Sequence, residues 1–239
     1  MSLSEGHTVY LYDDSIGSVV YLNHMGSDLT IVNSARVSFG VSKETLDNRD
    51  KKLINYLISH KHTSTLEHNL ITFKFTVPLF VARQHHRHRT WSYNEISRRY
   101  TDVDIRFYNP ELFRTQHQSN RQASNEADLI DPSLDYCLTK MTASQAMSEH
   151  ATNSLNLYEE LITSGVCREQ ARGVLPQNMY TEYYGTVNLN NLLKFIKLRD
   201  HVGAQWEIRL VAKACEAIAQ ELFPIALSSW KSTENKSLV

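Results

Sequence analysis

Residues 71–77 alternate strictly, with Ile71, Phe73, Phe75 and Val77 apolar and Thr72, Lys74 and Thr76 polar. That period of two predicts a strand with one buried face. Pro78 ends the run and suits the first turn of a helix reaching about His88. Residues 47–60 carry Leu53, Ile54, Leu57 and Ile58 at helical spacing and predict a helix. Residues 9–12 and 19–22 read as short strands around the turn Asp13-Asp14-Ser15-Ile16-Gly17. Ser27-Asp28 caps a helix to about Val37. Residues 60–68 form a polar connector. In the C-terminal half, Ser133 is expected to cap a long helix that Gly165 stops after Ser164. A short helix starts at Arg168, and Pro176 follows it. Residues 180–187 have strand composition, Asn188 caps a helix to Arg199, and residues 202–223 form a last helix. The tail 228–239 is expected to fray.

Residues 89–132 read as irregular and polar, most clearly 101–132, with Pro110 and Pro132. A loop that long is functional or mobile. No repeat and no linker divides the chain. The expectation is one α+β domain over 1–239, with a small mixed or antiparallel sheet and a mainly helical C-terminal half.

Composition narrows the function classes. The chain has 239 residues, with 25 Lys and Arg against 26 Asp and Glu. At a formal net charge of −1 it is no globally basic nucleic-acid coat. Cys137, Cys167 and Cys215 are far apart and odd in number, so no disulfide framework is expected and a reducing cytoplasm is the default. No apolar run is long enough for a transmembrane helix, and residues 1–8 do not read as a signal peptide. The eight glycines form neither a dinucleotide-binding fingerprint nor a phosphate-binding loop.

The chemistry concentrates between residues 83 and 100, where five arginines and three histidines accompany one acid, Glu95. Guanidinium groups this dense repel one another unless an anion sits among them, and their forked geometry matches phosphate oxygens. On a helix, Gln84, Arg87 and His88 share a face. The plain alternative is a solvated basic surface.

The spacing favours the first reading. Arg87-His88-Arg89, then seven residues, then Ser97 resembles the R-H-R-x7-S signature of flavin-dependent thymidylate synthases. The longer run Ser92-Tyr93-Asn94-Glu95-Ile96-Ser97-x-Arg99-Tyr100 adds specificity. Further segments resemble the family in order. They are Ala35-Arg36-Val37-Ser38, His62-x-Ser64-x-x-Glu67-His68, Val81-Ala82-Arg83-Gln84, Arg168-Glu169-x-Ala171-Arg172 with Leu175-Pro176 and Tyr180-Thr181, and finally Asn188, Leu198-Arg199 and Ala204-Gln205-Trp206-Glu207. The resemblance covers about residues 27–225.

It implies conversion of deoxyuridylate (dUMP) to deoxythymidylate (dTMP), with methylenetetrahydrofolate as one-carbon donor and FAD reduced by NADPH. It also implies a homotetramer whose sites lie where subunits meet, with no nucleic-acid or membrane partner and no metal. By position, FAD contacts fall to His62, Ser64, Arg87, His88, Arg89, Thr90, Glu95, Asn188, Asn190 and Lys194. Nucleotide contacts fall to Gln84, Arg87, Glu95, Ile96, Ser97, Arg98, Arg99, Arg172 and Arg199. Arg199 resembles the family arginine that touches uracil, where a fixed positive charge stabilises negative charge developing on the ring. Its plain alternative is a salt bridge to Asp200 or Glu207. Ser97 has no local base or third orienting group, so it reads as a positioning residue rather than a nucleophile. Cys137 and Cys215 read as buried helix residues, Cys167 as exposed but not activated, and no cysteine as catalytic. Against the family pattern, Asn190, Lys194, Gly203 and Arg98 are departures, and His201 is a candidate to compensate for Gly203.

Two rival readings rest on the same region. Six of the eleven histidines fall between residues 60 and 88, so His60, His62 and His68 suggest a metal-dependent nucleotide phosphohydrolase. Trp91, Tyr93 and Tyr100 among the cations suggest a single-strand nucleic-acid binder.

Overall fold

The computed structural model describes residues 3–236. In chain order its N-terminal half holds β1 (Thr8–Tyr10), β2 (Ser18–Met25), α1 (Asp28–Arg36), α2 (Asn48–Ser59), β3 (Leu70–Pro78), α3 (Leu79–His85) and β4 (Ser92–Glu95). Next come two small hairpins, β5 (Phe113–Gln116) with β6 (Ser124–Ile130), and β7 (Ser133–Tyr136) with β8 (Thr139–Thr142). The rest is α4 (Ala143–Thr163), α5 (Arg168–Ala171), β9 (Tyr180–Asn188), α6 (Leu189–Arg199), α7 (Trp206–Leu222) and α8 (Pro224–Lys236).

The main sheet is antiparallel throughout, in the order β1-β2-β3-β9-β4. The alternation in β3 does what its period requires. Ile71, Phe73, Phe75 and Val77 are fully buried, and their face packs with α6 and α7 side chains such as Leu192, Phe195, Ile208 and Val211. Gly185 of β9 lies opposite Phe73. A Cβ there would stand 2.9 Å from the Phe75 ring and 3.2 Å from the Trp91 ring. Only glycine lets Trp91 lie across the strand, and Trp91 leads directly into edge strand β4. The arginine-rich segment is thus fixed to the rim of the sheet. Asn188 closes β9 and opens α6, its Oδ1 accepting from the Asn191 amide at 2.9 Å. Arg199 then falls in the last turn of α6, where the helix dipole favours a cation. Among the described residues no helix is long and apolar enough to cross a membrane.

Four sequence expectations are corrected. Ser133 does not cap a helix. Residues 133–142 form the β7–β8 hairpin, and α4 starts at Ala143 behind a reciprocal cap between Thr142 and Gln145. The hairpin turns on Cys137 and Leu138, both in the left-handed region at φ 49° and 66°. Asn-Gly is the usual signal for such a turn, so this sequence conceals it. Cys137 is accordingly exposed at the hairpin tip rather than buried in a helix. Residues 89–132 are not wholly irregular, since they contain β4, β5 and β6. Residues 228–236 are helical rather than frayed, and the remainder of that tail lies outside the described residues. The reason is long-range: the buried Asp28 carboxylate accepts from the Ile225 and Ala226 amides at 2.9 and 3.0 Å, capping α8. In addition, α7 begins at Trp206 rather than at 202.

Candidate active site

The signature segment stands on a buried histidine. His85 ends α3 with its ring wholly enclosed, its centroid 4.8 Å from Phe75, 4.5 Å from Trp91 and 4.6 Å from Phe195. Its Nδ1 pairs with the Tyr183 hydroxyl at 2.8 Å, while Nε2 has no partner. Burial pushes its pKa well below the usual histidine value, and the nearby His88, His86 and Arg199 add to that, so it is neutral at pH 7. The Tyr93 hydroxyl donates to the carbonyls of His85 and His88 at 2.9 and 3.2 Å, pinning the turn that follows α3. Above this support Arg83, Arg87, Arg89 and Thr90 are exposed. Among the described residues these three arginines make no ion pair.

Arg199 reaches this turn from α6. Its Nε donates to His88 Nε2 at 3.0 Å and its Nη2 to the Gln84 carbonyl at 3.3 Å. His88 must therefore carry a bare Nε2. Burial, helped by the Arg199 charge, lowers its pKa to about 4 and keeps it so. Arg199 is not in a salt bridge with Asp200 or Glu207, so the plain alternative does not hold. It is partly desolvated and faces the charge of Arg87.

A second group forms where β4 runs out. Glu95 Oε1 accepts from the Thr181 hydroxyl at 2.6 Å, with His86 Nδ1 4.0 Å from Oε2. The Ile96 amide donates to the Glu182 carbonyl at 2.9 Å, leaving its side chain exposed. Ser97 opens a tight turn: its carbonyl accepts from the Tyr100 amide at 2.9 Å and its Oγ from the Arg99 amide at 3.3 Å. No histidine or carboxylate bonds that hydroxyl among the described residues. Arg99 is exposed, 3.8 Å from Glu169 on α5, and Arg172 is exposed just past the same helix. Arg98 differs. It is 8% exposed, and its Nη1 donates to the Val103 carbonyl at 2.8 Å, so its main chain is what it offers a ligand.

The remaining predicted residues gather elsewhere. Asn190 is buried and donates to Glu67 Oε1 at 2.7 Å, while His62 and Ser64 are exposed beside it in the connector before β3. Lys194 is exposed one turn further along α6. Asn190 and Arg199 occupy opposite ends of α6, about 13 Å apart at 1.5 Å per residue. The predicted residues thus fall into separate groups, and among the described residues no hydrogen bond or ion pair joins the Arg99–Arg172 group to the Gln84–His88–Arg199 group.

Sequence reasoning gave no role to Gln205, Arg114 or Tyr108, and named Glu207 only as an alternative ion-pair partner of Arg199. Gln84 Nε2 donates to Gln205 Oε1, Gln205 Nε2 donates to Glu207 Oε2 at 2.9 Å, and Arg114 Nη2 meets Glu207 Oε1 at 2.5 Å. The available signal was Ala204-Gln205-Trp206-Glu207, recognised as a block but not as a bonded chain.

The family model described as "thymidylate synthase complementing protein" matches residues 21–225. A flavin-dependent thymidylate synthase of Thermus thermophilus is 44% identical over 217 residues, covering 90% of this chain and 76% of the relative. The chain belongs to the flavin-dependent thymidylate synthase family. This makes it an enzyme of a methyltransferase family. A second family member, from Thermosipho africanus, is 39% identical over 208 residues, covering 87% of this chain and 88% of its own. Among solved structures, a UMP/dUMP methylase, PolB of Streptomyces cacaoi, superposes with a TM-score of 0.75 at 30% identity. That alignment covers 94% of this chain and 97% of PolB, which is bound with 5-bromo-dUMP. Family membership removes the ground for the nucleic-acid reading. Among the described residues His60, His62 and His68 join no metal-ligand set, so the phosphohydrolase reading lacks its centre.

Proposed function

We propose that the chain methylates C5 of dUMP to give dTMP, taking the carbon from methylenetetrahydrofolate and using FAD reduced by NADPH. The observation that carries this reading is Arg199, held by His88 and Gln84 beside an array of unpaired arginines, in a chain of this family. A monophosphate close to −2 calls for several charge-assisted donors. Arg99, Arg172 and the Ser97 turn supply them. Arg199 then lies against the pyrimidine, where it stabilises negative charge on the ring and raises the nucleophilicity of C5. When that carbon attacks the methylene carbon, one C–N bond of the folate breaks; the C5 proton then leaves, and cleavage of the second C–N bond frees the carbon from the folate.

The residues fit a flavin. Arg87 and Arg89 are exposed and free of ion pairs, as a diphosphate requires, and His62, Ser64, Asn188, Asn190 and Lys194 provide a second polar group. When bound, FAD supplies the hydride that turns the transferred methylene into a methyl group. No cysteine nucleophile takes part in this scheme. Cys215 is buried with its thiol pushed up, Cys137 sits at a hairpin tip, and the Cys167 thiol donates to Gln170 Oε1 at 3.6 Å. The separation of the two polar groups along α6, and exposed apolar side chains such as Phe39, Tyr100 and Val202, support a homotetramer with shared sites.

The test is the visible spectrum of the protein after incubation with FAD and desalting. A retained flavin band that shifts on adding dUMP is expected. No flavin and no nucleotide response together would overturn the reading.

A further inference from the structure

Of the five arginines between residues 83 and 100, only Arg98 is buried. It is 8% exposed, its Nη1 donates to the Val103 carbonyl at 2.8 Å, and its Nε has no acceptor among the described residues. A guanidinium keeps its charge in such a place, and a buried charge is costly unless an opposite charge answers it. The acids whose charges act on Arg98 are Asp104 and Asp102. Each is already paired with another arginine, Asp102 with Arg168 at 2.8 Å and Asp104 with Arg106 at 3.0 Å. The other group acting on it, Tyr158 of α4, is 1% exposed, and its hydroxyl has no partner among the described residues. Among the described residues, no carboxylate forms an ion pair with Arg98.

The main chain beside it has donors to spare. The Ser97 carbonyl accepts from the Tyr100 and Thr101 amides at 2.9 and 3.2 Å, which closes the turn. The amides of Ser97 and Arg98 themselves donate to nothing among the described residues. Successive free amides in a turn suit an anion. A side-chain charge lies no further from its own amide than its own length, so the Arg98 charge stands close to these donors. The Asp102–Arg168 pair, and Arg99 at 3.8 Å from Glu169, tie the same turn to α5, which leads into Arg172.

We propose that Arg98 is a positioning residue for the nucleotide phosphate: its buried, unpaired guanidinium is the fixed charge that the Ser97 turn sets near a phosphate dianion, and its bond to Val103 keeps that turn closed. The inference rests on the uridylate reading above and deepens it. Arg99 and Arg172 are exposed, so water and salt screen them. A buried charge is screened much less. Arg98 therefore weights recognition toward the doubly charged ester and against the uncharged nucleoside.

The experiment measures binding of dUMP by calorimetry, and of deoxyuridine by competition with dUMP, to the full-length protein saturated with FAD. Arg98→Gln and Arg98→Lys are compared. Both keep a donor for the Val103 carbonyl, but only lysine keeps the charge. Arg98→Gln is expected to lower dUMP affinity about tenfold, or about 1.4 kcal/mol, and to leave deoxyuridine affinity unchanged. The preference for the phosphate then falls by the same factor. Arg98→Lys should stay within about threefold of the intact protein, because the charge is what acts. Arg98→Met lacks both donor and charge and should lose at least as much as Arg98→Gln. If melting curves show that glutamine unfolds the chain, lysine against methionine makes the same comparison. A folded Arg98→Gln protein that keeps the full preference for dUMP over deoxyuridine would overturn the inference. Equal losses for glutamine and lysine would also overturn it, since they mark a purely structural clamp. An intact protein that binds no dUMP would instead remove the uridylate reading itself.

Discussion

Arg199 touches two acceptors, His88 Nε2 and the Gln84 carbonyl, and keeps its other N–H groups for a ligand. Replacing it by alanine is expected to suppress dTMP formation by a hundred- to a thousandfold, the loss of about 3–4 kcal/mol of charge stabilisation. FAD should stay bound, since the flavin residues lie mostly elsewhere; normal turnover would remove Arg199 from the chemistry. Ser97→Ala should weaken dUMP binding several-fold and leave some turnover, because the Ser97 hydroxyl lies within a turn and has no base. Complete inactivity with unchanged binding would make it a nucleophile after all. The histidines set a pH dependence. His85 and His88 both have depressed pKa values in the folded chain. The unfolded chain therefore binds protons first on acidification. Stability is fully present above the ordinary histidine value of about 6.5 and falls as pH drops below it, toward about 4 for His88. His85→Phe should flatten that decline in urea melts taken at pH 5 and pH 7. Arginine and histidine residues announced themselves in the sequence because such density is rare in a neutral chain. Gln205 and Glu207 did not, since their part depends on partners 121 and 93 residues away.

Elements were legible where one face alone settles them. The alternation of β3 and the cap of α6 at Asn188 need no distant information, and both stand as the sequence predicts. The 133–142 hairpin and α8 were hidden for opposite reasons. In the hairpin, Cys137 and Leu138 occupy left-handed positions without the glycine or asparagine that marks such a turn. Putting Asn at 137 and Gly at 138 should relieve that backbone and raise stability by about 0.5–1 kcal/mol, measured by chemical denaturation. An unchanged midpoint would mean that the turn is not strained. In α8, a run rich in serine reads as solvated until Asp28, almost 200 residues earlier, is seen to hold its first amides. Asp28→Ala should cost about 1–3 kcal/mol, since two backbone amides lose a charged acceptor. Hydrogen exchange confined to residues 224–236 would show whether the loss is local.

At the scale of the whole molecule, the single-domain α+β fold followed from the mixed periodicities, whereas a shared site has no signature in one chain's periodicity. If Arg199 and Arg172 of each site come from different subunits, mixing the inactive Arg199→Ala and Arg172→Ala proteins under conditions of subunit exchange should restore measurable turnover. Some mixed sites would then carry both arginines. No recovery, with exchange confirmed by light scattering and mass, would place both arginines of a site on one chain. The unpaired Arg83, Arg87, Arg89 and Arg172 side chains bear on ordinary handling as well. Among the described residues they are cationic positions with no counter-charge of their own. Any small oxyanion in the buffer can take the place of a nucleotide phosphate there. Phosphate or sulfate should therefore raise the melting temperature above that in chloride at equal ionic strength. The same buffer would act as a competitive inhibitor, making the enzyme look sturdier and slower at once.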